Sequence, residues 1–221
     1  MGIRIVIADD QAMVRAGLRM IVESAPGMEV VGEAADGREA VALARRTRPD
    51  VVLMDISMPR LDGVAATGQL LDSPHPPRVI TLTTVDTDEN HYAALRAGSS
   101  GFLLKTSPPE QLISAIELVH SGEGLLDPAV TGRVIATFAA RPEPTPSPRL
   151  DDLTPRELEV LRLLARGITN AEIARRLYVG EATVKTHVAR VLMKLDLRDR
   201  AQAVVFAYES GVITPGASDP S

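Results

Sequence analysis

The chain has 221 residues, 45% of them apolar and only 3% aromatic, so its cores must be built from aliphatic side chains. It has no cysteine, which excludes disulfides, thiolate metal sites and a cysteine nucleophile. The net charge of −5 is unevenly spread: residues 1–126 hold eleven Lys/Arg against seventeen Asp/Glu, whereas residues 162–200 hold nine against four. An acidic part joined to a locally basic one points to a control module attached to a polyanion binder. No apolar run approaches the roughly 18 residues that would span a bilayer. The N-terminus passes straight into Ile3–Ala8 without the pattern of a secretory leader. The expectation is a cytoplasmic protein without membrane contact.

The first ~125 residues alternate short β-branched runs with helical patterns, as expected of a parallel sheet wrapped by helices. The runs predict strands at Ile3–Ala8, Met28–Ala34, Val51–Asp55, Arg78–Thr83 and Ser100–Leu104. Helices are predicted at Ala12–Ser24, Arg38–Arg46, Leu61–Leu71, Asp88–Ala97 and Pro109–His120, with a further one at Asp127–Ala140. The alternating prolines of Arg141–Arg149 read as an extended, semi-rigid linker of about 3.1 Å per residue. From Leu153 the pattern is helical to about Tyr208, and Thr214–Ser221 reads as a disordered tail. The expected architecture is a doubly wound α/β domain with a five-stranded parallel sheet, followed by a small all-α domain. The expected bounds are 1–125, a linker region 126–149, 150–213, and a tail 214–221.

Sheets of this class bind ligands beyond the C-terminal ends of their strands. There the sequence places Asp9-Asp10, Asp55, Thr83-Thr84 and Lys105. Three gathered carboxylates repel unless cations join them, and hard oxygen ligands suit Mg²⁺. Mg²⁺ and Lys105 together would balance the pocket and let a nucleophilic carboxylate receive a phosphoryl group. Taken singly, Asp9 or Asp62 reads as a helix cap, Thr83 as a strand residue and Phe102 as core. The ordered set argues otherwise.

Residues 1–125 resemble a receiver domain in Ile-Ala-Asp9-Asp10, in Leu-Met-Asp55-Ile-Ser-Met-Pro59-Arg-Leu-Asp62-Gly63, in Leu-Thr83-Thr and in Gly-Phe102-Leu-Leu-Lys105. The resemblance implies a flavodoxin-like fold in which Asp55 accepts phosphate from a sensor histidine kinase. It implies Mg²⁺ on Asp10, Asp55 and the Ser57 carbonyl, with Asp9 acting through a water. It implies Thr83 and Lys105 as phosphoryl contacts and Phe102 as the aromatic that reorients as Thr83 moves inward. Lys105 is followed by Thr106, where many receivers have proline.

Thr154-Pro155-Arg156-Glu157 has the form of a capping box, and Gly167 closes the helix that follows. A second helix, Asn170–Leu177, leads through Tyr178-Val179-Gly180 to a third at Glu181–Leu195, a helix-turn-helix pattern. At 100° per residue Val184, Val188, Val191 and Leu195 share an inward side with Leu192 at its edge. Thr186, Ala189, Arg190 and Met193 face away, with Lys185 and Lys194 on the flanks, a face suited to a major groove. An ordinary solvated helix face is the alternative.

Leu153-Thr-Pro-Arg-Glu157-Leu-Glu-Val-Leu, Gly167-Ile-Thr-Asn170-Ala-Glu-Ile-Ala174 and Thr183-Val-Lys185-Thr-His187 resemble the LuxR-type DNA-binding domain. With the receiver, the whole chain is similar to the NarL/FixJ family of two-component response regulators. That resemblance implies Lys185 and Thr186 as principal groove contacts on double-stranded DNA, with phosphate anchors including Thr183. The DNA-binding set is expected to extend over Ala189, Arg190 and Lys194. Gly180 stands where serine is common, and Ala189 where some members carry a basic residue. Phosphorylation is expected to favour a homodimer, with Ala203, Val204, Ala207 and Tyr208 forming either part of that contact or the domain core. The chain is expected to be no enzyme beyond slow self-dephosphorylation. A phosphatase is the rival, but Asp55-Ile56-Ser57 lacks a second acid two residues on; a nucleotide enzyme fits less well still, since no phosphate-binding glycine loop follows any strand. A regulator that works without phosphorylation is a third reading.

Overall fold

The predicted apolar runs form a parallel sheet because helices on both sides let each strand bury both of its faces. The computed structural model describes residues 2–84, 93–122, 125–126 and 147–214. It divides into two units, Met1–Asp127 and Pro128–Ser221. The first runs β1 (Ile3–Ala8), α1 (Ala12–Ser24), β2 (Met28–Ala34), α2 (Gly37–Thr47), β3 (Val51–Asp55), α3 (Gly63–Leu71), β4 (Arg78–Thr83), β5 (Gly101–Leu104), α4 (Pro109–His120) and β6 (Leu125–Leu126). The sheet order is β2-β1-β3-β4-β5-β6, all parallel. The five expected strands are present, β5 beginning one residue late. The short β6 extends the sheet, and its two residues are too few to show a strand period.

Alternation along the strands divides the core. Ile5, Ile7, Leu53, Ile80 and Leu103 pack on one face with Leu18, Val22, Leu112 and Ile116. Val6, Ala8, Val52, Met54 and Val79 pack on the other with Val41, Ala66 and Leu70. Register then fixes the ends of the strands. Ala8 pairs with Met54, so Asp9 and Asp55 leave the sheet side by side. Asp55 pairs with Leu82 and Thr83 with Leu104, which brings Thr83 and Lys105 to the same rim.

Two helix starts differ from expectation. Asp36 accepts from the Glu39 N–H, so α2 begins at Gly37. Asp62 accepts from the Ala65 N–H and caps α3, which begins at Gly63, while the Leu61 carbonyl is taken by the Gly37 N–H. Of the predicted helix Asp88–Ala97, residues 93–96 are helical and 88–92 lie outside the described residues. The predicted helix Asp127–Ala140, the Pro-rich run to residue 146 and residues 215–221 also lie outside them.

The second unit contains a 3₁₀ turn (Pro148–Asp152), α5 (Pro155–Ala165), α6 (Asn170–Leu177), α7 (Glu181–Lys194) and α8 (Arg200–Glu209). Pro148 and Arg149, expected in the linker, belong to this unit: the Arg149 guanidinium donates to the Leu195 carbonyl at 3.0 Å. Thr154 and Glu157 form the expected capping box, and Thr169 and Glu172 form a second. α7 ends at Lys194, one residue early, and its cap, Gly180, offers no side chain. Ala203, Val204, Ala207 and Tyr208 are all buried within the unit, where α8 packs mainly on α5. That stripe packs into the core of the unit, the second of its two expected roles. No helix among the described residues is long and apolar enough to cross a membrane.

Candidate phosphoacceptor pocket and nucleic-acid interface

One oxygen from each of Asp9, Asp10 and Asp55 lies within 4.8 Å of the others. Asp9 and Asp55 are buried and Asp10 is exposed, so the cluster opens to solvent on one side. Lys105 Nζ reaches Asp9 Oδ2 at 2.7 Å and Asp55 Oδ1 at 2.9 Å. Burial pushes the Asp55 carboxyl above its ordinary range; Lys105 opposes this, while Asp9 and Asp10 add to it. Burial works against the Lys105 ammonium, but hydrogen bonds to Asp9 and Asp55 outweigh it and raise its pKa. One Lys charge faces three carboxylates, so the cluster keeps an excess of negative charge. This donor set, all hard oxygen, fits a divalent cation such as Mg²⁺.

The pocket's scaffold is tight. Asp9 Oδ1 accepts from the Gln11 N–H, which fixes the turn into α1. Asp55 is followed by buried Ile56 and Met58 with Ser57 exposed between them. The Gly63 N–H closes this loop on the Ile56 carbonyl at 2.9 Å. A Cβ on Gly63 would sit 1.9 Å from the Asp55 carbonyl oxygen, so only glycine fits. Arg60, at φ +66°, ion-pairs with Asp36 and ties the same loop to the start of α2. The Lys105 N–H donates to the Thr83 carbonyl at 2.8 Å. The Thr83 hydroxyl itself donates to the Thr84 carbonyl at 2.7 Å, and Phe102 is fully buried on β5.

In the second unit α7 presents Thr183, Lys185, Thr186, Ala189, Arg190 and Met193 to solvent and buries Val184 and Val191. Lys194 differs from expectation. Its ammonium is bound to Glu157 Oε2 at 2.7 Å and to the Asp152 carbonyl at 2.9 Å, so in this structure it ties the end of α7 to the start of α5. The Lys194 hydrogen bond and the Thr154 N–H hold the Glu157 carboxyl down at about 2. Lys194 and Glu157 are 37 residues apart, and no local pattern announces such a pair. Arg156, likewise unsignalled, donates to the Leu177 carbonyl and joins α5 to the end of α6.

An acidic rim on a doubly wound sheet and a helix-turn-helix in one chain define a regulator that joins a control domain to a DNA-binding domain. Residues 5–117 match the response regulator receiver domain, and residues 151–207 match the luxR family of bacterial regulatory proteins. The chain is 41% identical to the transcriptional regulatory protein LiaR of Bacillus subtilis (strain 168), covering 96% of this chain and 99% of that one. It is 35% identical to the nitrate/nitrite response regulator protein NarL of Escherichia coli (strain K12), covering 94% and 96%. The solved structure of the response regulator ChrA, from a heme-sensing two-component system, is 35% identical with a TM-score of 0.54, covering 96% and 99%. The chain therefore belongs to the two-component response regulators that join a receiver to a LuxR-type DNA-binding domain, and it functions in transcription regulation.

Proposed function

We propose that Asp55 is the phosphoacceptor through which a sensor histidine kinase controls DNA binding by α7. The carrying observation is the three-carboxylate cluster bridged by Lys105. Asp10, Asp55 and the Ser57 carbonyl would hold Mg²⁺, with Asp9 reached through a water. The bound cation supplies charge neutralisation for the phosphoryl oxygens. An Asp55 carboxylate oxygen forms the new P–O bond as the P–N bond to the kinase histidine breaks, its electron pair returning to the imidazole. Lys105, already on Asp55, pairs with the incoming phosphoryl oxygens. Thr83 joins it after its hydroxyl leaves the Thr84 carbonyl, and Phe102 repacks with it. The only chemistry of its own is slow hydrolysis of the acyl phosphate.

On DNA, Lys185 and Thr186 meet the major groove, Thr183 anchors a phosphate, and Ala189 and Arg190 extend the contact. Phosphorylation favours a homodimer, which joins two half-site interactions and makes the second one intramolecular. The protein acts in the cytoplasm. Incubation with a small acyl-phosphate donor and Mg²⁺ should add one phosphoryl group by intact mass. Asp55→Asn should add none, and labelling at the wild-type level in that variant would exclude Asp55.

A further inference from the structure

Tyr178 is 96% exposed, so its ring gains almost no packing from its own domain. It also caps α6 in the left-handed region, at φ 53° and ψ 43°. Glycine is usual there because a Cβ crowds the following carbonyl. An exposed ring and a strained backbone both work against stability, and glycine would remove both. The backbone that carries the ring is nevertheless fixed. The Val179 N–H donates to the Ala174 carbonyl at 3.1 Å and the Tyr178 N–H to the Arg175 carbonyl at 3.4 Å, locking the turn.

The surroundings point to what the ring meets. Exposed Arg175 and Arg176 precede it, and exposed Thr183, Lys185 and Thr186 follow on α7. From Arg175 to Lys185 the only opposing carboxylate is Glu181. A recognition helix enters the groove by its N-terminal residues, so the turn before it lies at the rim, where the phosphates are. Tyrosine hydroxyls are among the donors that proteins use on phosphate oxygens. The cap of α7, Gly180, has no hydroxyl to offer, and the Tyr178 phenol stands two residues before it.

We infer that Tyr178 is a DNA-backbone contact, its phenolic hydroxyl donating to a phosphate oxygen at the rim of the groove that α7 enters. This rests on the reading of α7 as the DNA-binding helix. A phosphate contact carries no base information, so the probe is a DNA duplex of mixed sequence. Affinity is measured for the full chain in acetyl phosphate and Mg²⁺ over a series of salt concentrations, beside thermal melting. Tyr178→Gly should bind roughly tenfold more weakly yet melt no lower than the native chain. Tyr178→Phe should lose about as much. Because the phenol is neutral, both should keep the native salt slope, whereas Lys185→Ala should flatten it by about 0.9 if Lys185 neutralises a phosphate. Native binding by either tyrosine variant overturns the contact, as does a binding loss matched by loss of folded protein. If Lys185→Ala weakens binding while the tyrosine variants do not, the inference fails and the reading of α7 stands. If none of the three weakens binding, or the native chain does not bind the duplex, both fail.

Discussion

In the receiver, Asp9, Asp55 and Lys105 are withdrawn from solvent and hold one another in place, whereas on α7 Lys185 and Arg190 are exposed at the surface. The first arrangement suits chemistry at a fixed point, because groups in a low-dielectric site interact strongly and need little reorganisation. The second suits a surface that meets a long polyanion and exchanges counterions with it. Charge within one chain is therefore put to two uses, and burial decides which. Removing a buried charge should damage the fold, while removing an exposed one should damage only binding.

The most severe break of that contrast is Lys105→Met. It strands two buried carboxylates and should cost about 3–5 kcal/mol of receiver stability at pH 7, read by denaturant melts of the full chain. Without Lys105 the folded Asp55 pKa rises further, so the deficit should shrink as pH falls and the carboxyl takes up a proton. Added Mg²⁺ should shrink it too. A deficit indifferent to Mg²⁺ would mean that the carboxylates do not share a cation.

Glu157→Gln comes next and tests a buried charge in the DNA-binding domain. The folded Glu157 pKa is depressed from 4.5 to about 2. Its contribution is therefore complete above pH 4.5 and is lost as pH falls toward 2. On the order of 2 kcal/mol should disappear in Glu157→Gln at pH 7, and the variant should lack that acid-dependent step. Amide NMR signals of residues 147–214 across pH would show whether the step exists.

The smallest expected effect on stability is that of Lys185→Ala, within about 0.5 kcal/mol of native. Its effect on DNA binding should be large by comparison, either about 1–3 kcal/mol at one base position or a flatter salt slope. A destabilised Lys185→Ala with unchanged affinity would erase the contrast between the two halves.

What the sequence made legible followed from short-range rules. Strand ends could be placed because β-branched runs break off at Asp9, Asp55, Thr83 and Lys105, and a parallel sheet aligns those ends. Capping chemistry placed the start of α5 at Pro155. The same rules could not separate Lys194 from Lys185, since helical phase puts both on flanks. Only the fold reveals that Glu157 and the Asp152 carbonyl occupy one of them. Tyr178 escaped for a similar reason. Its left-handed φ follows from how α6 ends, and a tyrosine there gives no turn signal of the kind that glycine would.

The attachments around the C-terminal end of α7 have a mechanical consequence. Lys194 is tied to Glu157 and Asp152 across 37 and 42 residues, and the Leu195 carbonyl to Arg149 across 46. Closing the first of these loops makes the others nearly free, since closure entropy grows only with the logarithm of length and the three spans differ little. They should form and rupture together. Arg149 is also within two residues of Ser147, where the described chain of this unit begins. A pull on Ser147 would thus be delivered first to the C-terminal end of α7, and a clasp of three coupled contacts would bear the load.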